Sequence, residues 1–162
     1  MLTAGLVGYG YWGLNLARTL RASGRFHLKI VCDLGDDRLD VAGRNLPGAK
    51  LSKDFNELVT DDEINAIAIA TPVREHYDLA ASALRAGKHV LLAKPMTETA
   101  EQAQDLIDLA RENSRVLLID HTFLFSGAVE KMREIVSSGE IGDIYYYDSI
   151  RVNLGLFQKD VN

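Results

Sequence analysis

Short apolar runs alternate with longer helix-forming ones through the first 120 residues, and this alternation restricts the available folds more than any single motif does. Residues 2–7, 28–33, 66–70, 89–93 and 116–120 read as strands, and residues 11–23, 36–45, 74–86 and 99–113 read as helices. In the last helix Ala103, Leu106, Ile107 and Ala110 recur at the three-and-four spacing of one buried face. A weaker strand around Lys50 and Leu51, followed by a short helix at 54–60, completes a second set of crossovers. Parallel strands need crossover connections, usually helical, so the pattern predicts an α/β fold: a doubly wound parallel sheet covered by helices. With 162 residues, 47% of them apolar and 25% charged, the chain suits one globular domain, or one domain and part of another.

Charge and composition remove several function classes. The net charge is −5 and no Lys/Arg block occurs, so the broad positive face that holds a nucleic acid backbone is not predicted. No apolar run approaches the ~20 residues of a membrane helix, and the N-terminus has no basic segment followed by an apolar stretch and a cleavage site. Neither membrane attachment nor export is expected. Cys32 is the only cysteine, which rules out an intrachain disulfide and argues against a cysteine-rich metal site. No metal is expected, and a reducing cytoplasm fits.

Residues 5–17 read GLVGYGYWGLNLA, with Gly8, Gly10 and Gly13 at the first strand-to-helix junction. Glycines at this spacing are informative only with a strand before them, a helix after them and an acid at the end of the next strand, and all three conditions hold. Gly8 permits a sharp turn, Gly10 lets backbone approach a pyrophosphate, and Gly13 lets helix and strand pack closely. The helix N-terminus offers free N–H groups and a positive dipole end to phosphates. Asp33 lies about 20 residues after Gly13, where a carboxylate accepts hydrogen bonds from ribose hydroxyls and repels a 2′-phosphate. The predicted cofactor is therefore NAD, with NADP disfavoured. Tyr11 and Trp12 open the helix and are candidates for the cofactor wall, with plain packing as the competing role. Thr71 and Pro72 leave the fourth strand at the carboxyl edge of the sheet, where open α/β sheets bind ligands, although a proline there also simply starts a helix. His76 reads as a surface helix residue.

The stretch LLAKPMTET places Lys94 directly after an apolar strand and joins it to Pro95. A lysine there is either a solvated charge or a functional cation, whose pKa partial burial and a nearby cationic nicotinamide would lower toward acid–base use.

Taken together, GYGYWG, Asp33, the ATP at 70–72, the AKP at 93–95 and the DHTFLF at 120–125 resemble the Gfo/Idh/MocA oxidoreductases, above all those that oxidise sugars or nucleotide-linked sugars. The resemblance implies a Rossmann-type domain that binds NAD or NADP, a second α/β domain with an open sheet, and hydride transfer between a substrate carbinol and nicotinamide C4. It carries the catalytic role to Lys94, places Lys94 and Pro95 against the cofactor, and sets Lys94 and His121 near the substrate, the latter with simple strand exit as an equal alternative. The family's Glu-Lys-Pro is Ala93-Lys94-Pro95 here, so a carboxylate expected near the nicotinamide is missing. The resemblance further implies that residues 1–120 form the dinucleotide domain. Residues 121–162 then supply only the first helix and one long strand of a truncated substrate domain, the chain being an N-terminal fragment that lacks a catalytic histidine and most of a sheet. On that strand Ile144, Tyr146, Ile150 and Val152 point one way, while Tyr145, Tyr147, Ser149, Arg151 and Asn153 point the other. Homo-oligomer contacts through this sheet are expected in the complete protein. Two other classes compete: a non-catalytic dinucleotide-binding sensor or scaffold, for which Ala93 would mark lost chemistry, and an adenosylmethionine-dependent methyltransferase, which leaves the AKP loop unexplained.

Overall fold

At the centre of the protein, β1 (Leu2–Val7) lies between two parallel neighbours, β2 (Phe26–Cys32) and β4 (Ala66–Ile69). Beyond β2 lies β3 (Lys50–Ser52), and beyond β4 lie β5 (His89–Leu92) and β6 (Leu117–Ile119). The six strands are all parallel in the order β3-β2-β1-β4-β5-β6, the Rossmann-type doubly wound arrangement. This computed structural model describes residues 1–150 and Val152. Two compact units divide the chain, Met1–Asp120 and His121–Asn162.

The central strands β1 and β4, buried on both faces over most of their length, carry near-continuous apolar runs rather than an apolar–polar alternation. Ala4 and Leu6 of β1 and Ala68 of β4 face one layer, where Ala17 of α1 (Tyr11–Ala22) and Ala42 of α2 (Asp36–Asn45) cover them. Val7, Ile67 and Ile69 face the other layer. There they meet Leu58 of α3 (Asn56–Val59), Ala80 and Leu84 of α4 (Val73–Arg85), and Leu106 and Ala110 of α5 (Ala100–Glu112). Of the stripe expected on α5, Leu106 and Ala110 are buried and Ala103 and Ile107 half-buried. The weak third strand is present but short, for only Ile30, Val31 and Cys32 of β2 pair with it.

In the second unit a 3-10 turn at Thr122–Phe125 leads into α6 (Gly127–Ser138), which ends on Gly139 in the left-handed conformation at φ 73°. The strand expected from Ile144 onward is not formed over residues 144–150. Tyr145, Tyr146 and Tyr147 are all strongly exposed, so the expected division into two faces is absent there as well. A strand takes its shape from hydrogen bonds to a neighbour, and the described residues of this unit offer none. Arg151 and the stretch 153–162, Asn153 included, lie outside the described residues.

Candidate functional site

The predicted cofactor residues of the first unit lie on the loops that follow β1, β2, β4 and β5 or, for Tyr11, Trp12 and Gly13, in the first turn of α1, at the carboxyl edge of the sheet. The strand order reverses between β1 and β4, and open α/β sheets form a crevice at such a switch point.

The three glycines of the first loop have different physical reasons. Gly8 has φ +86°, and a Cβ there would sit 2.6 Å from the Ala70 carbonyl oxygen and 2.9 Å from the Thr71 amide nitrogen. It therefore allows both the turn and the contact between the loops after β1 and β4. At Gly13 a Cβ would lie 1.9 Å from the Gly8 carbonyl oxygen, so only glycine lets α1 start this close to the loop. Gly10 differs from both. It caps α1 with ordinary extended backbone, at φ −76° and ψ −162°, and a Cβ would meet nothing within 4 Å. No protein atom accounts for the missing side chain, and the first-turn N–H groups of α1 receive no side-chain cap. Open space beside the uncapped start of a helix leaves room for a pyrophosphate.

Asp33 is buried and heavily used. Its Oδ2 accepts from the Tyr9 amide at 2.6 Å and its Oδ1 from the Gly35 amide at 2.9 Å. The Tyr9 bond, with Gly8 N–H donating to the Cys32 carbonyl at 2.9 Å, ties the glycine loop to the end of β2. The Arg38 guanidinium lies 3.7 Å from Oδ1, so a cation does stand beside the acid although none directly follows it in sequence. Next to Asp33, burial pushes the Cys32 thiol up to about 11, and the Asp33 carboxylate adds to the effect. A thiol held protonated in this way is no nucleophile.

Tyr11 and Trp12 divide the roles weighed for them. Tyr11 is exposed. Trp12 is half-buried and donates its indole N–H to Asp120 Oδ2 at 2.8 Å, joining the start of α1 to the end of β6. Thr71 is half-buried, and its Oγ1 is buried without a hydrogen-bond partner, a polar atom at the crevice that a ligand could satisfy. Pro72 caps α4 and is exposed, which matches its helix-starting role.

Lys94 is joined to Pro95 by a cis peptide bond, and both residues are exposed. The partial burial expected of Lys94 is thus not found in this unit, because the side chain leaves β5 at the open edge of the sheet, and it makes no hydrogen bond or ion pair among the described residues. Ala93 behind it is buried, its N–H donating to the Ile69 carbonyl at 2.9 Å. His121 belongs to the second unit, where it is exposed and precedes the 3-10 turn.

His76 corrects the sequence reading most sharply. It is 1% exposed, with Nδ1 2.9 Å from the Pro95 carbonyl oxygen and Nε2 2.9 Å from that of Thr71. The signal was present, since His76, Ala80, Ala83 and Leu84 follow the helical spacing of the buried face of α4. Neither Tyr9 nor Asp120 carried a comparable local signal, because their partners lie 24 and 108 residues away.

The family model GFO_IDH_MocA, described as an oxidoreductase family with an NAD-binding Rossmann fold, matches residues 2–121. An uncharacterized oxidoreductase of Streptococcus pneumoniae is 29% identical over 93% of this chain and 40% of its own length. The scyllo-inositol 2-dehydrogenase (NADP(+)) IolW of Bacillus subtilis is 30% identical over 68% of this chain and 31% of its own length. The crystal structure of GenD2 from gentamicin A biosynthesis, in complex with NAD, superposes with a TM-score of 0.79 at 29% identity, covering 86% of this chain and 40% of that one. The chain thus spans well under half the length of these relatives. A Rossmann-type sheet, a glycine loop with an open Gly10 and a family match across the whole first unit agree: the chain belongs to the Gfo/Idh/MocA family of NAD-binding oxidoreductases.

Proposed function

We propose that this chain carries the cofactor half of an NAD-dependent dehydrogenase acting on a sugar or nucleotide-sugar. The open space at Gly10, which no protein atom needs, is the observation that carries the reading. The amides at the start of α1 would hold the pyrophosphate, and Thr71 Oγ1 would gain the partner it lacks. Asp33 would turn its remaining lone pairs to the adenosine ribose, which favours NAD. Arg38 at 3.7 Å offsets part of the repulsion toward a 2′-phosphate, so the preference is modest. When bound, the nicotinamide supplies a hydride acceptor or donor. Lys94, exposed and without a partner among the described residues, would take the proton of the substrate hydroxyl or return it.

On this reading, residues 121–162 begin the substrate domain, His121 lies near the substrate, and the complete protein self-associates through that domain's sheet. Neither nucleic acid nor membrane is a partner, and the compartment is the cytoplasm, which the buried free thiol of Cys32 supports. Binding by the 162-residue chain without appreciable turnover follows, because positioning of the carbinol would need a substrate domain of which residues 121–162 are only the beginning. Calorimetric titration with NAD and NADP tests the cofactor assignment. Saturable binding with NAD tighter by about tenfold is expected, and no binding of either dinucleotide would overturn it. A second reading, a dinucleotide-binding sensor or scaffold, is favoured by Ala93, since the family resemblance implies a glutamate at that position. Hydride transfer to any sugar by a protein that includes the substrate domain would exclude it.

A further inference from the structure

The loops that leave β4 and β5 lie side by side on one flank of the switch point, and a single side chain joins them. His76 projects from the first turns of α4, nearly fully buried, with one ring nitrogen on the Thr71 carbonyl and the other on the Pro95 carbonyl, each at 2.9 Å. Thr71 carries the unpartnered Oγ1, and the Pro95 carbonyl lies one peptide beyond Lys94. Among the described residues no other side chain hydrogen-bonds from one of these loops to the other. The backbone does not replace it at Thr71, since the first helical N–H nearby, that of Glu75, donates to the Pro72 carbonyl instead. Both partners are carbonyl oxygens, which only accept, so the ring bonds both loops at once when both nitrogens carry hydrogen and donates to one of the two when it is neutral; an aliphatic side chain of similar volume donates to neither.

We propose that His76 is a positioning residue, a clasp that sets the distance between Thr71 and the Lys94-Pro95 peptide and so holds both loops in place beside the switch point. It touches no reacting atom. The consequence for cofactor binding rests on the function proposed above, whereas the clasp itself does not.

The test compares the 162-residue wild type with His76→Leu and His76→Gln. Hydrogen exchange is followed by mass spectrometry over residues 70–75 and 93–99, with residues 33–45 as an internal reference, beside titration with NAD. His76→Leu should speed exchange in both loop segments by about tenfold, leave the reference unchanged, and weaken NAD binding by about tenfold. His76→Gln, whose amide keeps a donor for one carbonyl, should restore much of the protection in one loop. Should His76→Leu fail to fold, the glutamine variant carries the test, with one loop loosened and the other not. Unchanged loop exchange in the variants would overturn the clasp, as would an equal rise in the reference segment, which is general loosening. Loosened loops in a protein whose wild type binds no NAD would support the clasp and refute the cofactor reading.

Discussion

Gly10 and Gly13 stand three residues apart in one motif, yet their substitution should have opposite consequences. A methyl at Gly13 collides with the Gly8 carbonyl, so Gly13→Ala should destabilise by about 3 kcal/mol or more, read by chemical denaturation. Gly10→Ala meets no protein atom and should melt within ~2 °C of wild type while losing most of its NAD affinity in calorimetry. A folding defect at Gly10 would point to a turn role alone. Asp33 combines both kinds of role. Its carboxylate holds the Tyr9 and Gly35 amides, so Asp33→Ala should cost about 3 kcal/mol and weaken both dinucleotides, NAD more than NADP. Cys32 provides a pH test. With the folded thiol at about 11 and an unfolded reference of 9.0, the folded state keeps a proton that the unfolded state loses as pH rises through this window. The stability due to the neutral buried thiol is therefore present below pH 9 and declines toward pH 11, by about 2 kcal/mol. Denaturation midpoints of wild type and Cys32→Ala at pH 8 and pH 10.5 should show a steeper loss in the wild type.

At the scale of elements, the carboxyl edge of the sheet is braced by contacts from helices back to loops. Trp12 brings the start of α1 to Asp120 at the end of β6, and His76 brings α4 to both the β4 and β5 loops. The Trp12 brace joins elements far apart in the sequence, whereas the His76 brace joins the loops of two adjacent strands, and neither is part of the strand ladder. Trp12→Phe keeps the ring but removes the N–H, and should cost about 1–2 kcal/mol in urea while leaving the far-UV spectrum unchanged. If Lys94 is the proton-transfer residue, Lys94→Ala in a protein with its substrate domain should lower turnover by roughly 10²- to 10⁴-fold with little change in NAD affinity. The helices were readable because each buries a stripe set by its own repeat, and the central strands because burial on both faces leaves a short apolar run. The strand expected from Ile144 was not, since alternation describes what a strand would bury and cannot provide the neighbour it needs.

For the molecule as a whole, the buried apolar side chains among the described residues all fall between Ala4 and Ala110, inside the unit Met1–Asp120. A chain ending at Asp120 should accordingly fold alone and melt within ~3 °C of the 162-residue protein by circular dichroism. Loss of cooperative melting would show that residues after Asp120 contribute to the core.

Local pattern alone determined the succession of strands and helices, the place of the glycine loop, and the acid at the end of β2. Periodicity, turn chemistry and motif spacing are properties of neighbouring residues, and on them rests the likeness to this oxidoreductase family. Tertiary structure alone decided that Asp33 already binds the glycine loop, that Arg38 stands beside it, that Lys94 is exposed, and that Trp12 reaches a carboxylate 108 residues away. It also turned His76 from an apparent surface residue into the bridge between two loops. Such contacts depend on which strands lie side by side, and a strand's own residues specify which faces it must bury, not which loops will meet beyond its end.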